Sequence, residues 1–413
     1  MSDTVIAVLA TLNSKEKEIH FICKSIKASA GRPLLVDLSL QPHRIPGAMI
    51  SGGLLAEAGG SDWESLADMD RLSAAEVMVL GGKKILLEAY NKGNIGGVIG
   101  IGGANGSSMA CSIMRALPHI FPKAMVSPVA ATAAVQWYVA ESDIVMFPSI
   151  GDLSLNRITR SVMENAASSI VAMAKLQASR AKHSVQSSPL VGLSSFGGTA
   201  ECVDRVTKKL VSRGYEVIHF HASGPGGKAL ESLASSKELA GVVDLTTHEL
   251  ADLVVDGVYS AGDGRLRGAG LAGLPQVVVP GAIDHSNFWV GMVPEQFKNR
   301  EFIQYNAQSI LMRTSAEEFM TLGRMVAERL NEARGPVAIL IPQRGYSEHT
   351  KKKTQNLEGH EIGNWAQPDV DGVFSSYLQK HLKKGKFTEL DLHINDTEFA
   401  DACAHAFFDL MEI

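Results

Sequence analysis

The chain has 413 residues, of which 45% are hydrophobic and 20% charged, a composition typical of a globular protein with two or three domains. Its formal net charge of -5 excludes the basic surface that binds nucleic acid. No apolar run approaches the roughly 18 residues of a membrane span, the N-terminus lacks the pattern of a signal peptide, and the four cysteines lie far apart. We therefore expect a cytoplasmic protein with neither membrane nor nucleic-acid partners.

The first half of the chain alternates strands and helices. Residues 4–10 and 34–38 are predicted strands around a helix at 15–30, whose isoleucines recur on one face. Further helices are expected at 73–91 and 154–180, and further strands near Ala124 and Ile144. The polar segment after the long helix predicts a domain boundary, with residues 1–183 in the first domain and 184–413 in the second.

A glycine-rich segment at 96–108, GGVIGIGGANGSS, predicts an anion site. A short β-branched run stops at Gly102 and Gly103, just before a helix expected at 109–117. Glycine permits positive φ and a close approach of the ligand, and the start of a helix favours phosphate or carboxylate. Ser107 and Ser108 can cap the helix or donate to that anion.

Known phosphate motifs do not match this segment in detail. No lysine follows Gly106, which excludes a Walker loop. The glycine spacing is one residue too long for a dinucleotide fingerprint, and the next strand, 123–127, has no carboxylate, which disfavours NAD. The alternative is a tight turn that only packs the strand against the helix.

The second half opens with another strand, helix and strand, at 190–195, 200–213 and 215–220. Continued alternation implies parallel sheets with right-handed crossovers. The predicted fold is therefore α/β, with two Rossmann-like, doubly wound domains and mainly parallel sheets. The length of the helix at 154–180 would allow it to pack against another domain or another protomer.

Three strand-end loops in the second half carry polar side chains, at 219–228, 278–288 and 392–396. The first is rich in glycine and could hold a second anion. Because ligands of open α/β sheets bind at the carboxyl ends of strands, we expect these loops to share a cleft. The predicted catalytic residues are His221, Asp284, Arg313 and His393, with Asp244, Glu249, Arg265 and Arg344 as further acids or anion clamps.

Two further features belong to this half. Ser315 and Glu318 form a capping box that predicts a helix to Asn331, while Asp396 is predicted to cap the last helix. Residues 342–368 show no periodicity, and a loop of that length predicts a lid over the cleft. No residue is nominated as a metal ligand, although His219 and His221, two apart on a strand, keep a metal open as an alternative.

Nine segments in order along the chain, including ATLNSKEKE, GIGGANGSS, HASGPGGKA, VDLTTHELAD, VVVPGAIDHSNF, IPQRGYS and HIND, resemble one family. It is the bacterial and plant family of the tomato mosaic virus resistance protein's ATP-binding domain. The resemblance implies two Rossmann-like domains, a homodimer, and ATP held by the first domain. It also implies the nucleotide-binding residues, which are Thr11, Lys15, Gly102, Gly103, Asn105, Gly106, Ser107 and Ser108. The chain departs from the family at Asn13, where a carboxylate is usual.

Two functional hypotheses follow. In the first, the protein binds ATP or a related phosphate compound, with a divalent metal as an open question. In the second, it is a hydrolase or carbon–carbon lyase that acts on a small carboxylate or acyl compound in the cleft of the second domain.

Overall fold

The computed structural model describes residues 4–41, 49–182 and 188–412. The chain divides into two compact units, Met1–Gln186 and Ser187–Ile413. The predicted domain boundary between residues 183 and 184 lies outside the described residues.

The first unit is an α/β unit with one parallel sheet. Its strands are β1 (Thr4–Ala10), β2 (Gly31–Asp37), β3 (Gly97–Ile101), β4 (Lys123–Ser127) and β5 (Val145–Pro148). Its helices are α1 (Glu16–Ala28), α2 (Gly52–Gly59), α3 (Arg71–Asn91), α4 (Ala104–Met114), α5 (Val135–Val139) and α6 (Arg157–Lys182).

The described strands of this sheet lie in the order β2-β1-β3-β4-β5. Val8 of β1 pairs with Leu35 on one side and with Ile99 of β3 on the other. Helices cover both faces, since α1 and α6 bury one apolar cluster against the sheet and α3 and α4 bury another. The strand order reverses between β1 and β3, and at such a switch point the loops separate and leave a crevice.

The second unit contains two sheets. Its strands are β6 (Leu190–Ser195), β7 (Glu216–His221), β8 (Gly241–Thr246), β9 (Gln276–Gly281), β10 (His285–Trp289), β11 (Phe302–Gln304), β12 (Ser309–Arg313), β13 (Val337–Pro342), β14 (Lys353–Gln355), β15 (Glu361–Asn364) and β16 (Lys386–Leu390). Its helices are α7 (Ala200–Ser212), α8 (Pro225–Ser235), α9 (Glu249–Val255), α10 (Gly268–Ala272), α11 (Ala316–Asn331), α12 (Pro368–His381) and α13 (Thr397–Met411).

The larger sheet of the second unit is parallel, with the order β16-β13-β9-β8-β6-β7. Helices α7 and α13 cover one face, while α11 and α12 pack together over an apolar cluster on the other. The order reverses between β6 and β8, so this unit repeats the switch point of the first. The prediction of two doubly wound, Rossmann-like α/β domains is confirmed.

The smaller sheet is antiparallel, with the order β10-β12-β11-β14-β15, and the sequence analysis missed it. Its strands are only three to five residues long, too short for a clear alternating pattern. Two of them, together with a short 3-10 helix at Glu348–Lys351, lie in the segment predicted to be a structureless lid. That segment is therefore folded, and it contributes side chains to the site described below.

Candidate functional site

The switch point of the first unit is an open cleft of about 730 Å³. Its walls come from the loops that follow β1 and β3 and from the start of α3. The lining residues are Thr11, Asn13, Ser14, Lys15, Leu40, Gln41, Leu66, Ala67, Met69, Arg71, Ala74, Gly103, Ala104, Asn105, Gly106 and Met109. Five of the eight residues assigned to nucleotide binding by resemblance therefore line one cleft.

Helix α4 begins inside the predicted glycine loop. Gly103 is its N-cap and Ala104 its first residue, so Asn105 and Gly106 belong to the first turn. The N–H groups of a first turn have no partner within the helix, and the helix dipole is positive at this end. The predicted anion site is thus a helix start that borders the cleft, not a loop that precedes a helix.

The role assigned to the glycines needs correction. None of Gly102, Gly103 and Gly106 has positive φ. Gly102 is required by packing, because a Cβ there would lie 2.8 Å from the Cα of Gly106. A Cβ on Gly103 would meet no atom within 4 Å, so the glycine leaves open space on the cleft side.

Two cationic side chains border the cleft. The Nζ of Lys15 donates to the carbonyl of Leu153 at 2.7 Å, which leaves two further N–H bonds of the ammonium group. Arg71, in the first turn of α3, lies against Asn105, whose amide oxygen accepts from Nη2 at 2.8 Å when turned toward the guanidinium. The sequence analysis did not identify Arg71, since it lies on a different helix, 25 residues before the start of the glycine segment.

The two predicted serines do not line the cleft. Ser107 is buried, and its hydroxyl donates to the carbonyl of Gly102 at 3.0 Å and lies 2.6 Å from the hydroxyl of Ser127. Ser107 therefore joins α4 to the end of β4. Ser108 is exposed on the helix and is not among the lining residues.

The glycine-rich loop before α8 already holds an anion, which is a carboxylate of the protein itself. The N–H groups of Gly224 and Gly227 donate to Oε1 of Glu249 at 2.7 and 3.2 Å. A Cβ on Gly227 would lie 2.1 Å from Oε2 of the same residue. The expectation that this loop binds a second, external anion is therefore wrong.

Arg265 is the centre of a buried ion cluster. It donates to Glu249 at 2.6 Å, to Asp244 at 2.7 Å and to Glu231 at 3.1 Å, and its side chain is fully buried. Burial raises the pKa of Glu231 and of Glu249, and the charge of Arg265 opposes that rise. These residues, predicted as acids and an anion clamp, have structural partners instead. Arg344 is exposed and pairs with Asp391 at 2.7 Å.

Of the four predicted catalytic residues, Arg313 and His393 lie around Asp284, since Arg313 donates to the Asp284 carbonyl and His393 contacts Ser347, whose hydroxyl donates to the Asp284 carboxylate. The ring of His221 lies apart from them, 5.3 Å from that of Phe196. His221 ends β7 and His393 follows β16, and these are the opposite edge strands of the six-stranded sheet. The ring of His393 is hydrogen-bonded, since Nδ1 accepts from the N–H of Asn395 at 3.1 Å and Nε2 lies 3.0 Å from the carbonyl of Ser347. His393 therefore has a structural role.

Arg313 does not act as an open anion clamp. Its side chain is buried and donates to the carbonyls of Trp365 and Asp284, at 3.0 and 3.1 Å, and to the carboxylate of Asp371. Asp396 occupies the N-cap position of α13, but its carboxylate accepts from the N–H of His393 at 2.7 Å rather than from the helix. The capping box of Ser315 and Glu318 is confirmed.

Asp284 is the predicted residue around which polar groups do gather. Its Oδ1 lies 3.2 Å from Nδ1 of His285, and its Oδ2 accepts from the Ser347 hydroxyl and the Trp365 indole N–H, each at 2.7 Å. Burial alone would raise the pKa of Asp284, but the hydrogen bonds from His285 and Trp365 and the charge of Arg313 hold that pKa well below its usual range. Asp284 is thus a buried, ionised carboxylate.

Three imidazoles surround this carboxylate, those of His248, His285 and His349. All three are at most 1% exposed. Ring centroids lie 5.8 Å apart between His248 and His285 and 5.5 Å apart between His285 and His349, while Phe196 stacks on His248 at 4.1 Å. Among the described residues, no side chain or backbone group forms a hydrogen bond with Nδ1 or Nε2 of His248, with Nε2 of His285 or with Nδ1 of His349.

Burial sets the charge of two of these rings. It lowers the pKa of His248 well below 6.5 and that of His349 to about 3, so both are neutral near pH 7. As placed, no group of three or more histidine, cysteine or acidic side chains in the described ranges could hold a metal ion. Sequence reasoning noted His285 only as a neighbour of Asp284 and missed His248 and His349, because no spacing rule joins positions 100 residues apart.

The two units together define a protein with paired doubly wound α/β units, each with polar residues at its switch point. Family models for the Uncharacterised protein family (UPF0261) match both, the N-terminal domain at residues 4–179 and the C-terminal domain at 188–411. The chain therefore belongs to the UPF0261 family.

Relatives of similar length include UPF0261 proteins of Clostridium tetani, 36% identical over 98% of this chain and 99% of that one, and of Mesorhizobium japonicum, 37% identical over 98% of each. The ToMV resistance protein Tm-1(GCR237) of Solanum lycopersicum is 33% identical over 84% of this chain. The match spans only 45% of the tomato protein. These matches confirm the family resemblance drawn from the sequence motifs.

Similarity to solved structures is weak. The UDP-N-acetylglucosamine 2-epimerase from Rickettsia bellii aligns over 67% of this chain and 78% of its own, with 10% identity and a TM-score of 0.24. At that TM-score the likeness bears on neither substrate nor mechanism. Within the described residues, no helix has both the length and the apolar character needed to cross a bilayer.

Proposed function

We propose that the first unit binds a nucleoside phosphate, with ATP as the first ligand to test. The observation that carries the proposal is the joint placement of Lys15, Arg71 and the first turn of α4 around one cleft at a sheet switch point. Ligands of doubly wound sheets bind at such points, and phosphates bind at helix starts. The family resemblance, which implies ATP in the first domain, supports the same ligand.

The cleft has room and chemistry for both parts of a nucleotide. Its volume, about 730 Å³, lies in the range of small-molecule sites. Leu66, Met69 and Met109 provide an apolar wall on which a base could pack. Lys15 and Arg71 provide positive charge for phosphate oxygens.

A divalent metal would be held mainly by the ligand in this arrangement. The described residues that line the cleft include no carboxylate, and Asn13 stands where the family has one. Mg²⁺ commonly keeps several waters and binds through substrate phosphates. We therefore expect Mg²⁺ to change ATP affinity through the phosphates, not through a protein carboxylate.

Isothermal titration of the full chain with ATP, ADP, AMP and adenosine, with and without Mg²⁺, tests the proposal. If the phosphates are the recognised group, affinity falls stepwise as phosphates are removed and adenosine binds weakest. Arg71→Met should weaken ATP binding by about tenfold, the loss expected from one charge-assisted hydrogen bond.

Arg115→Met is the matched control, because Arg115 lies at the opposite end of α4 and is exposed. It should leave the ATP isotherm unchanged. Equal affinity for ATP and adenosine in the unmodified chain would contradict the proposal, as would equal effects of the two arginine substitutions.

A further inference from the structure

The switch point of the second unit lies between β6 and β8, where the strand order reverses. Phe196 directly follows β6, and His248 lies two residues beyond β8. Their stacked rings therefore stand at the position where a doubly wound sheet binds its ligand. His285, the first residue of β10, and His349 extend the same group of rings.

Unpartnered nitrogens set this cluster apart from a packed core. Buried polar atoms of proteins nearly always have a hydrogen-bond partner, and exceptions call for an explanation. Here four ring nitrogens on three buried histidines have none within the described part of the chain. A molecule that supplies hydrogen-bonding groups to these rings would satisfy them.

The contacts of Asp284 select the tautomer of His285. Since the ionised carboxylate can only accept, His285 must carry a proton on Nδ1 to donate to Oδ1. When the ring is neutral, Nε2 therefore presents a lone pair, and no partner occupies it in the described structure. An imidazole oriented by a carboxylate, with a bare second nitrogen, is the usual arrangement of a general base.

We propose that the second unit contains an acid–base site in which His285, oriented by Asp284, takes a proton from a hydroxyl group of a small neutral polyhydroxylated compound. The O–H bond breaks and leaves its electron pair on oxygen, while a new N–H bond forms at Nε2. The resulting imidazolium lies next to the negative charge of Asp284. His248 and His349 are binding residues, each able to donate from one nitrogen and accept at the other.

The charges of the site favour a neutral ligand over the carboxylate considered from sequence. The guanidinium groups of Arg265 and Arg313 already bind carboxylates and carbonyls of the protein. The carboxylate of Asp284 would repel an anion placed against His285. Donors and acceptors on neutral rings complement hydroxyl groups, and the aromatic faces of Phe196 and Tyr259 suit the C–H faces between them.

Access to the rings leads past residues that are not buried. Phe196 is half-buried, Gly197 is exposed and Tyr305 is 49% exposed. The Tyr305 ring lies 6.1 Å from that of His349, and a Cβ on Gly197 would lie 3.1 Å from the Tyr305 hydroxyl. Because the loop after β6 and Tyr305 lie this close together above the buried rings, a ligand that enters here must move them apart.

Binding of matched three-carbon probes to the full chain tests the ligand class. Saturation-transfer NMR titrations would compare dihydroxyacetone and glyceraldehyde with glycerate and lactate, which are of similar size but carry a carboxylate. We expect the neutral probes to bind and His285→Gln to weaken them by about tenfold, the loss of one hydrogen bond to a charge-coupled group. His360→Gln, an exposed histidine on the turn between β14 and β15, should bind them like the unmodified chain.

Nitrogen-15 shifts of the histidine rings in the unmodified chain test the base directly, even if a variant does not fold. We expect His285 to show a protonated Nδ1 and a bare Nε2 whose shift moves when a neutral probe binds. Binding of only the carboxylate probes, a bare Nδ1 on His285, or stoichiometric capture of Zn²⁺ by the three rings would each overturn the proposal.

Discussion

The two units share a strand order around their switch points, yet the two switch points differ in how their polar groups are paired. In the first, the cleft is open and is bordered by cations and by the start of α4. In the second, rings fill the corresponding position, and every guanidinium near it is paired with groups of the protein. The same scaffold thus presents a positively charged open cleft in one unit and a buried set of aromatic and imidazole rings in the other.

This contrast separates two kinds of function. Exposed donors with remaining hydrogen-bonding capacity suit the recognition of an anion, since water satisfies them until a ligand arrives. A buried lone pair oriented by an ionised carboxylate suits proton transfer, because its environment excludes water. The cations of the first unit should therefore affect ligand binding more than folding, whereas the buried charges of the second unit should affect folding.

The largest effect is expected for the buried ion cluster of the second unit. Arg265→Met would leave Asp244, Glu249 and Glu231 without their cation, and breaking a buried pair in this way costs about 3–5 kcal/mol of folding free energy. Urea unfolding measures the loss. Arg344→Met removes an exposed pair of the same type and should produce no measurable change. Equal losses for the two variants would refute the assignment of Arg265 as a structural cation.

We expect His349 to make the free energy of unfolding depend on pH, by an amount smaller than the loss caused by Arg265→Met. Its pKa is about 3 in the folded chain and about 6.5 when unfolded, so between these values only the unfolded chain binds the proton. The contribution of the neutral ring is therefore complete above pH 6.5 and falls by about 1.4 kcal/mol per pH unit below it. At pH 4.5 the loss is about 3 kcal/mol.

Comparing the unfolding free energies of the unmodified chain and of His349→Gln separates the contribution of His349 from that of other groups that titrate. The stability of the unmodified chain relative to the variant should fall as the pH decreases from 7.5 to 4.5, measured by urea unfolding at each pH. His360→Gln provides the control, because the His360 ring is exposed. A difference between the chain and His349→Gln that stays constant with pH would show that the ring is not held neutral by burial.

Lys15→Met tests the opposite arrangement in the first unit. Loss of a charge-assisted hydrogen bond to phosphate should weaken ATP binding by about 1.5–3 kcal/mol. Folding stability should fall by only about 1 kcal/mol, for the lost bond to the Leu153 carbonyl. Lys17→Met, on the exposed side of α1, should change neither quantity. A stability loss larger than the affinity loss would make Lys15 a structural residue like Arg265.

Much of the fold was predictable because long periodic segments determine their own structure. The helix expected at 73–91 is α3 at Arg71–Asn91, and that expected at 154–180 is α6 at Arg157–Lys182. The start of α4 was placed a full turn late, since glycine and serine disfavour helix in general yet occur in its first turn. The antiparallel sheet was missed because pairing between distant short strands leaves no local pattern.

The candidate sites were predictable only where neighbouring residues in sequence form them. The loops after β1 and β3 were predicted as binding loops from local sequence motifs. Arg71 and Trp365 were not predicted, because only tertiary contacts bring them to their sites. Arg313 was predicted as an anion clamp and Glu249 as an acid, but both have partners inside the protein that could not be read from the sequence. Polar residues at strand ends indicate a site only after those internal partners are known.

The smallest expected effect comes from Gly106→Ala, which separates packing from ligand access at the start of α4. Gly106 is helical, and the nearest atom to an added Cβ is the Ile101 carbonyl oxygen at 3.9 Å. Alanine in a helix is more stable than glycine by roughly 0.5–1 kcal/mol, so folding stability should rise slightly. ATP binding should nevertheless weaken severalfold, because the methyl group projects beside N–H groups proposed to hold phosphate.

Gly372→Ala, in α12 and with no atom within 4 Å of its Cβ, should give a similar gain in stability and leave ATP affinity unchanged. Unaltered ATP affinity in a stabilised Gly106→Ala chain would mean that the first turn of α4 packs the fold without contacting the nucleotide.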